Sequence, residues 1–321
     1  MSASIPVLPL QPDGTIPQLG LGTWKSDPGV VYEAVREAIR IGYRHLDCAY
    51  AYDNEAEIGQ ALADAIAAGE VTRSELFITS KLWNAYHHPE SVGPILAESL
   101  KRLQLDYLDL YLMHWPIAFE KGVGFPKAGE EFVSLEALPL IDTWRAMEAC
   151  VDAGQAWHIG VSNFSVKKIK SLLAEARITP CNNQVEMHPY LQQEALVAFC
   201  HQAGIQVTAY SPLGSADRPE FLKSQNEPAL LSHPEILAIA EAHSASPAQV
   251  VLAWNLARGV VVIPKSANPQ RLAENFAAAK LTLSGEEMAT LAKLDKHFRF
   301  IDGHFWEMAG SPYTRENLWD E

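Results

Sequence analysis

The sequence predicts an α/β protein of (β/α)8 TIM-barrel class, one domain over residues 1–321, with an N-terminal β-hairpin and long loops on the C-terminal face. Three observations carry that expectation. Short β-branched or aliphatic runs alternate with longer stretches of helical period along the chain. Eight such runs in 321 residues suit a closed barrel better than a doubly wound sheet. No linker, low-complexity tract or charge block divides them.

The elements follow in order. VLPLQPDGTIPQL reads as two short strands around a DG turn, a plug ahead of the barrel. Barrel strands are expected at 17–22 (PQLGLG), 43–49 (YRHLDCA), 76–81 (LFITSK) and 108–114 (LDLYLMH). Four more are expected at 157–161 (WHIGV), 182–187 (NNQVEM), 206–211 (QVTAYS) and 260–264 (VVVIP). Between them lie amphipathic segments at 29–41, 54–68, 90–103, 138–153, 192–203, 246–257 and 268–278. In the second of these, Ile58, Leu62 and Ile66 share one face, and Asn54 with Glu57 predicts a capping box. Residues 116–137 and 212–232 are too long for simple turns and belong at the C-terminal face, where barrel sites are built. The segment 298–321, with Phe305, Trp306, Tyr313 and Trp319, has no helical period and is expected to cover the same face.

Composition narrows the function. A net charge of −14 argues against nucleic acid or an acidic membrane as partner, while leaving room for a phosphorylated ligand held by a local basic cluster. Cys48, Cys150, Cys181 and Cys200 show no metal-ligand spacing and read as buried thiols. The first positive side chain is Lys25, and no apolar run approaches membrane-spanning length, so a soluble cytoplasmic protein is expected.

Several polar residues share one address, the C-terminal ends of strands. Asp47 lies near the end of the second, with Tyr50 and Tyr52 in the turn that follows; Lys81 and His114 end the third and fourth. A lone strand-end lysine ordinarily snorkels, a lone histidine is ordinarily a satisfied core residue, and a lone tyrosine packs. Convergence of an acid, a lysine, a tyrosine and a histidine on one barrel mouth describes a proton-transfer set. The carboxylate holds the ammonium, and the ammonium is expected to lower the phenol's pKa so that it works as an acid.

GYRHLDCAYAYDNEAEIG (42–59) is similar to the first signature of the aldo-keto reductase family, most closely the aldose/aldehyde reductase type. IPKSANPQRLAENF (263–276) resembles its last signature, and VEMHPYLQQ and YSPLGS resemble interior motifs. The resemblance runs along essentially the whole chain. It implies Asp47, Tyr52, Lys81 and His114 as the catalytic four, selects Tyr52 over Tyr50, and implies a monomer that reduces aldehydes and ketones.

The cofactor implied is NADPH/NADP+, held without a Rossmann fingerprint, since the G-x-G of GLGTW lies inside a strand with no helix-opening glycine after it. By similarity Gly22, Thr23, Trp24 and Asp47 line the nicotinamide pocket, and Ser162, Asn163 and Gln184 hold a carboxamide. Tyr210 stacks on the ring, and Ser211, Leu213 and Ser215 contact the pyrophosphate. Lys265, Ser266, Asn268 and Arg271 form the basic cluster a 2′-phosphate wants, and Glu274 and Asn275 fall where the family contacts adenine. Trp24, Tyr52, Trp83, His114 and Trp115 are the expected substrate contacts, with Phe305 or Trp306 adding to an aromatic pocket. Glu220, in ADRPEFLK, is expected to make one wall polar and the pocket more open. Two rival readings remain: a Schiff-base barrel of aldolase type using Lys81, and a cofactor-binding regulatory subunit with little turnover.

Overall fold

The computed structural model describes residues 5–26, 28–223 and 227–321. The expected hairpin is there: β1 (Val7–Leu10) pairs antiparallel with β2 (Gly14–Pro17). It buries Leu10 and Ile16 against Phe77, Leu110, Leu112, Cys181 and Val261, which come from the barrel strands or their entry.

The barrel begins with β3 (Leu21–Gly22), β4 (His45–Asp47), β5 (Phe77–Leu82) and β6 (Leu108–Met113). A small antiparallel ribbon, β7 (Ala118–Phe119) with β8 (Phe132–Val133), then organises the first long connection. The barrel resumes with β9 (Ala156–Ser162), β10 (Asn182–Glu186), β11 (Gln206–Tyr210) and β12 (Val261–Val262). The eight strands pair in chain order and in parallel. Bridges from Leu19 to Val262 and from Gly22 to Lys265 join the last strand back to the first. A Cβ on Gly22 would stand 2.7 Å from the Ile263 carbonyl oxygen, so glycine is what lets the two ends of the sheet meet.

The helices that cover the barrel are α1 (Val30–Ile41), α2 (Glu55–Ala67), α3 (Pro89–Leu103), α4 (Leu140–Asp152), α5 (Val166–Leu173) and α6 (Glu194–Gln202). They are followed by α7 (Pro234–Ala242), α8 (Pro247–Ala257), α9 (Pro269–Ala277), α10 (Gly285–Ala292) and the short α11 (Arg315–Trp319). Four of these lie outside the sequence expectations: α5, α7, α10 and α11. Each has nine residues or fewer, so apolar repeats are few, although Ser165, Ser284 and Thr314 cap three of them from their side chains. The apolar faces of the first six helices, with residues of α8 and α9, and the outward faces of the strands form the main core, in which Ile58 and Leu62 are fully buried.

The capping box expected at Asn54 and Glu57 does not form. Asn54 is buried and donates to the Thr23 carbonyl oxygen at 2.9 Å, while Glu57 accepts from the Gly29 backbone N–H at 2.7 Å. Both side chains are spent across the chain, because a buried amide beside the first barrel strand is satisfied best by that strand's orphan carbonyl. No single described helix is long and apolar enough to cross a membrane.

Candidate active site

Asp47, Lys81 and His114 come from neighbouring strand ends, so their side chains meet at one rim. Lys81 is fully buried and donates to Asp47 Oδ1 at 2.5 Å, to the Cys48 carbonyl oxygen at 2.8 Å and to Tyr52 Oη at 3.3 Å. Burial works against the ammonium, but Asp47 and then Tyr52 outweigh it and hold the lysine above its ordinary pKa. The second Asp47 oxygen accepts from Gln184 Nε2 at 2.7 Å, and its backbone oxygen from Thr23 Oγ1 at 2.8 Å.

Tyr52 sits on a single 3-10 turn, Tyr50–Tyr52, that follows the strand carrying Asp47. Because its oxygen accepts from Lys81, its own proton is free to point into the cavity. The expected lowering of its pKa is not what the surroundings produce. Burial of the phenol pushes its pKa up, Lys81 pulls it back, and the net direction is upward. The phenol is therefore a protonated donor with an ammonium behind it.

His114 packs edge-on against Tyr52 (ring centroids 5.8 Å apart) and Trp83 (5.3 Å). Burial, then the Lys81 ammonium and His87, drive its pKa well below the ordinary value, so the ring is neutral.

Asp47, Tyr52, Trp83 and His114 line a cavity of about 680 Å³, with Lys81 buried behind them. Its walls include Gly22, Thr23, Trp24, Trp83, Trp115, Ser162, Asn163, Gln184, Tyr210, Ser211, Leu213, Ser215 and Lys265. Asn163 and Ser211 follow strands β9 and β11 directly and adopt left-handed backbone (φ 64° and 45°), which turns the chain sharply at the rim. Asn163 donates to the His114 carbonyl oxygen at 3.0 Å and accepts from Tyr210 Oη at 2.8 Å, so the Tyr210 ring is held at its edge and offers a face.

A model of the aldo/keto reductase family matches residues 18–296. The chain belongs to the aldo/keto reductase family. It is 54% identical over 318 residues to an aldo/keto reductase of Synechocystis sp., slr0942, covering 99% of this chain and 97% of that one. It is 49% identical over 288 residues to human aldo-keto reductase family 1 member A1, covering 89% and 88% of the two chains. The solved structure of the aldose reductase from Schistosoma japonicum superposes with a TM-score of 0.87 at 41% identity, covering 96% of this chain and 97% of that one. The protein is thus an oxidoreductase of a family that reduces carbonyls with nicotinamide cofactors.

In this reductase the donor set fits such a cofactor. Tyr210 gives a ring-sized face near the acid set, and Lys265 stands on the wall of the same groove. Three points of geometry bear on the sequence expectations. First, Ser266, Asn268, Arg271, Glu274 and Asn275 lie outside the cavity wall: Ser266 and Asn268 accept backbone N–H groups at the start of α9, and Glu274 accepts from Gln270. Second, the Gln184 amide N–H is turned to Asp47, leaving its carbonyl oxygen for any ligand. Third, the wall expected to be polar at Glu220 is apolar, because Glu220 points to solvent and Phe221 and Leu222 line the cavity.

Lys25 and Asp217 were not singled out by the sequence. Lys25 Nζ donates to Ser215 Oγ at 2.9 Å and to Asp217 Oδ1 at 2.6 Å, tying the loop after β11 over the groove. An isolated lysine and an isolated aspartate 192 positions apart carry no local signal of such a link. Phe305 and Trp306 line the cavity, as the aromatic C-terminal segment predicts, and Phe125 joins them from the first long connection. Tyr50 also lines it, with Arg102 over its ring. The four cysteines are buried and unpaired, and among the described residues no group of histidine, cysteine, aspartate and glutamate could hold a metal ion.

Proposed function

We propose that the protein reduces aldehydes and ketones to alcohols with NADPH, with Tyr52 as general acid. The observation that carries this reading is the Asp47–Lys81–Tyr52 chain, closed by hydrogen bonds and opening through the phenol onto a largely apolar cavity. The nicotinamide supplies a hydride when bound. Tyr210 would face its ring, Asn163, Ser162 and Gln184 would meet its amide, and Lys265 would meet its phosphates.

His114 is neutral, so it orients a carbonyl oxygen through an N–H without competing with the acid for charge. Tyr52 then delivers its proton to that oxygen as negative charge develops there. Lys81 stabilises the phenolate left behind, and Asp47 keeps the lysine charged and in place. Trp24, Trp83, Trp115, Phe305 and Trp306 favour apolar or aromatic substrates.

The aldolase reading loses support from the same geometry. All three Lys81 N–H bonds are committed, and its pKa lies above the ordinary value, so it is a poor imine-forming nucleophile. Preference for NADPH over NADH rests on Lys265 and Lys25 at the groove and Arg271 on the adjoining helix. The test is the loss of NADPH absorbance against a panel of aldehydes, ketones and sugars, with wild type and Tyr52→Phe. The variant should bind NADPH and turn over at least about a hundredfold more slowly; turnover equal to wild type would refute the acid assignment.

A further inference from the structure

Two lengths of chain border the cavity mouth beside the acid set. One is the stretch after β11, where Ser215 and Asp217 hold Lys25. The other is the C-terminal segment, which supplies Ile301, Phe305 and Trp306 to the wall. His304 joins them. Its Nδ1 lies 2.5 Å from Asp302 Oδ1, and its Nε2 lies 3.1 Å from the Phe221 carbonyl oxygen on the other stretch.

The chemistry of the two partners settles the protonation that this geometry needs. Burial pushes the Asp302 carboxyl up, but the His304 backbone and ring and the nearby Arg315 outweigh it, so it is held as a carboxylate. A carboxylate and an amide carbonyl oxygen both only accept. A neutral imidazole has one N–H and satisfies one of them; making both bonds takes the imidazolium.

We propose that His304 is a positioning residue that clasps the C-terminal substrate wall to the stretch after β11 along the same groove, so that one side chain governs both cofactor release and the shape of the wall. The inference rests on the reading of the groove as a dinucleotide site.

The surroundings are built for a cation. On its own segment His304 faces Asp302, and Arg315 sits 3.3 Å from the other Asp302 oxygen and also pairs with Glu307. From the opposite stretch come Glu220 and Lys223, paired with each other. Three acids and two bases leave one excess negative charge, which the imidazolium neutralises. The Asp302 post is itself fixed, because its carbonyl oxygen accepts Trp319 Nε1–H at 2.7 Å. Beside it Phe300 packs against Gly214 and under the Arg218 guanidinium, 5.2 Å from its ring, so the clasp closes a seam that is already packed.

Removing the imidazole takes away both bonds that join the two stretches, so the seam loosens. Stopped-flow fluorescence of bound NADPH gives the dissociation rate directly. In His304→Ala that rate should rise about fivefold over wild type, the worth of one modest hydrogen bond. In the same variant the KM of a bulky aromatic aldehyde should rise, and that of a two-carbon aldehyde should stay level. Asp302→Asn, which weakens the post that holds the ring, should raise the release rate in the same direction by a smaller factor. Absence of NADPH binding in wild type would overturn the cofactor reading and the clasp together. NADPH binding with a release rate in His304→Ala equal to that of wild type, or an equal change in KM for the two aldehydes, would overturn the clasp alone.

Discussion

Gln184 donates its side-chain amide to Asp47 Oδ2 at 2.7 Å, on the side of the carboxylate that Lys81 leaves free. The two residues lie 137 positions apart, and β10 and β4 reach the same rim from different sides of the barrel. Asp47 is therefore a shared acceptor whose orientation toward Lys81 is set from across the mouth. Gln184→Ala leaves a buried carboxylate oxygen without its donor, which costs about 1–3 kcal/mol. The expected outcome is a fall in kcat of roughly tenfold with the fold retained, measured by steady-state kinetics beside circular dichroism; an unchanged kcat would show that Asp47 needs no second partner.

Lys81→Met tests the ammonium itself. It removes the cation behind Tyr52 and leaves Asp47 as a buried, unpaired charge, a change that destabilises by about 3–5 kcal/mol when a buried pair is broken. Carbonyl reduction should be lost and the urea midpoint should fall. The double variant Asp47→Asn with Lys81→Met should recover much of the stability and none of the activity.

Cofactor preference separates along the groove. Lys265 lines the cavity wall, while Arg271 lies exposed on the first turn of α9. If both meet a 2′-phosphate, Lys265→Ala and Arg271→Ala should each raise the KM for NADPH by about tenfold and leave that for NADH nearly unchanged. A wild-type kcat/KM ratio near unity for the two cofactors would end the NADPH assignment.

The pH dependence of reduction follows from the shifted groups. His114 is held well below its ordinary pKa and Tyr52 above its own, so both keep their working protonation across the neutral range. With saturating cofactor, kcat for a small aldehyde should be level from about pH 5.5 to pH 8 and fall only in alkali, when the phenol loses its proton. A bell centred near the ordinary histidine pKa would mean that His114 titrates in the working range.

Acid stability depends on histidines buried neutral. Burial lowers the pKa of His45 to about 4 and that of His87 to about 3. The unfolded chain takes up these protons near pH 6.5, while the folded chain resists until the lower values. Stability should therefore fall as pH drops from about 6.5 toward 4, with His45 alone contributing roughly 3 kcal/mol by the end of that window. Urea midpoints across this range should show the slope, and His45→Gln should flatten it.

The sequence reading reached far into this fold because its signals were local. Strand ends at Asp47, Lys81 and His114 could be read from apolar runs, and β5 and β6 place the latter two where those runs predict. The helices it passed over have nine residues or fewer, too few for a clear apolar period. The capping box failed for a related reason: Asn54 and Glu57 match a local pattern, but each finds a better partner across the chain.

Residue type, spacing and strand position, joined to a family likeness, were enough to single out Asp47, Tyr52, Lys81 and His114, which the fold brings together, the aromatic wall and the class of fold. Only the tertiary structure decided how those residues are charged and tied. Burial, which no spacing records, raises Tyr52 and lowers His114. Closure of the barrel brings Gln184 to Asp47, Lys25 to Asp217 and His304 to Phe221. Each of these contacts joins segments more than 80 positions apart, and hydrogen bonds at that range follow from the folded path of the chain rather than from any local pattern.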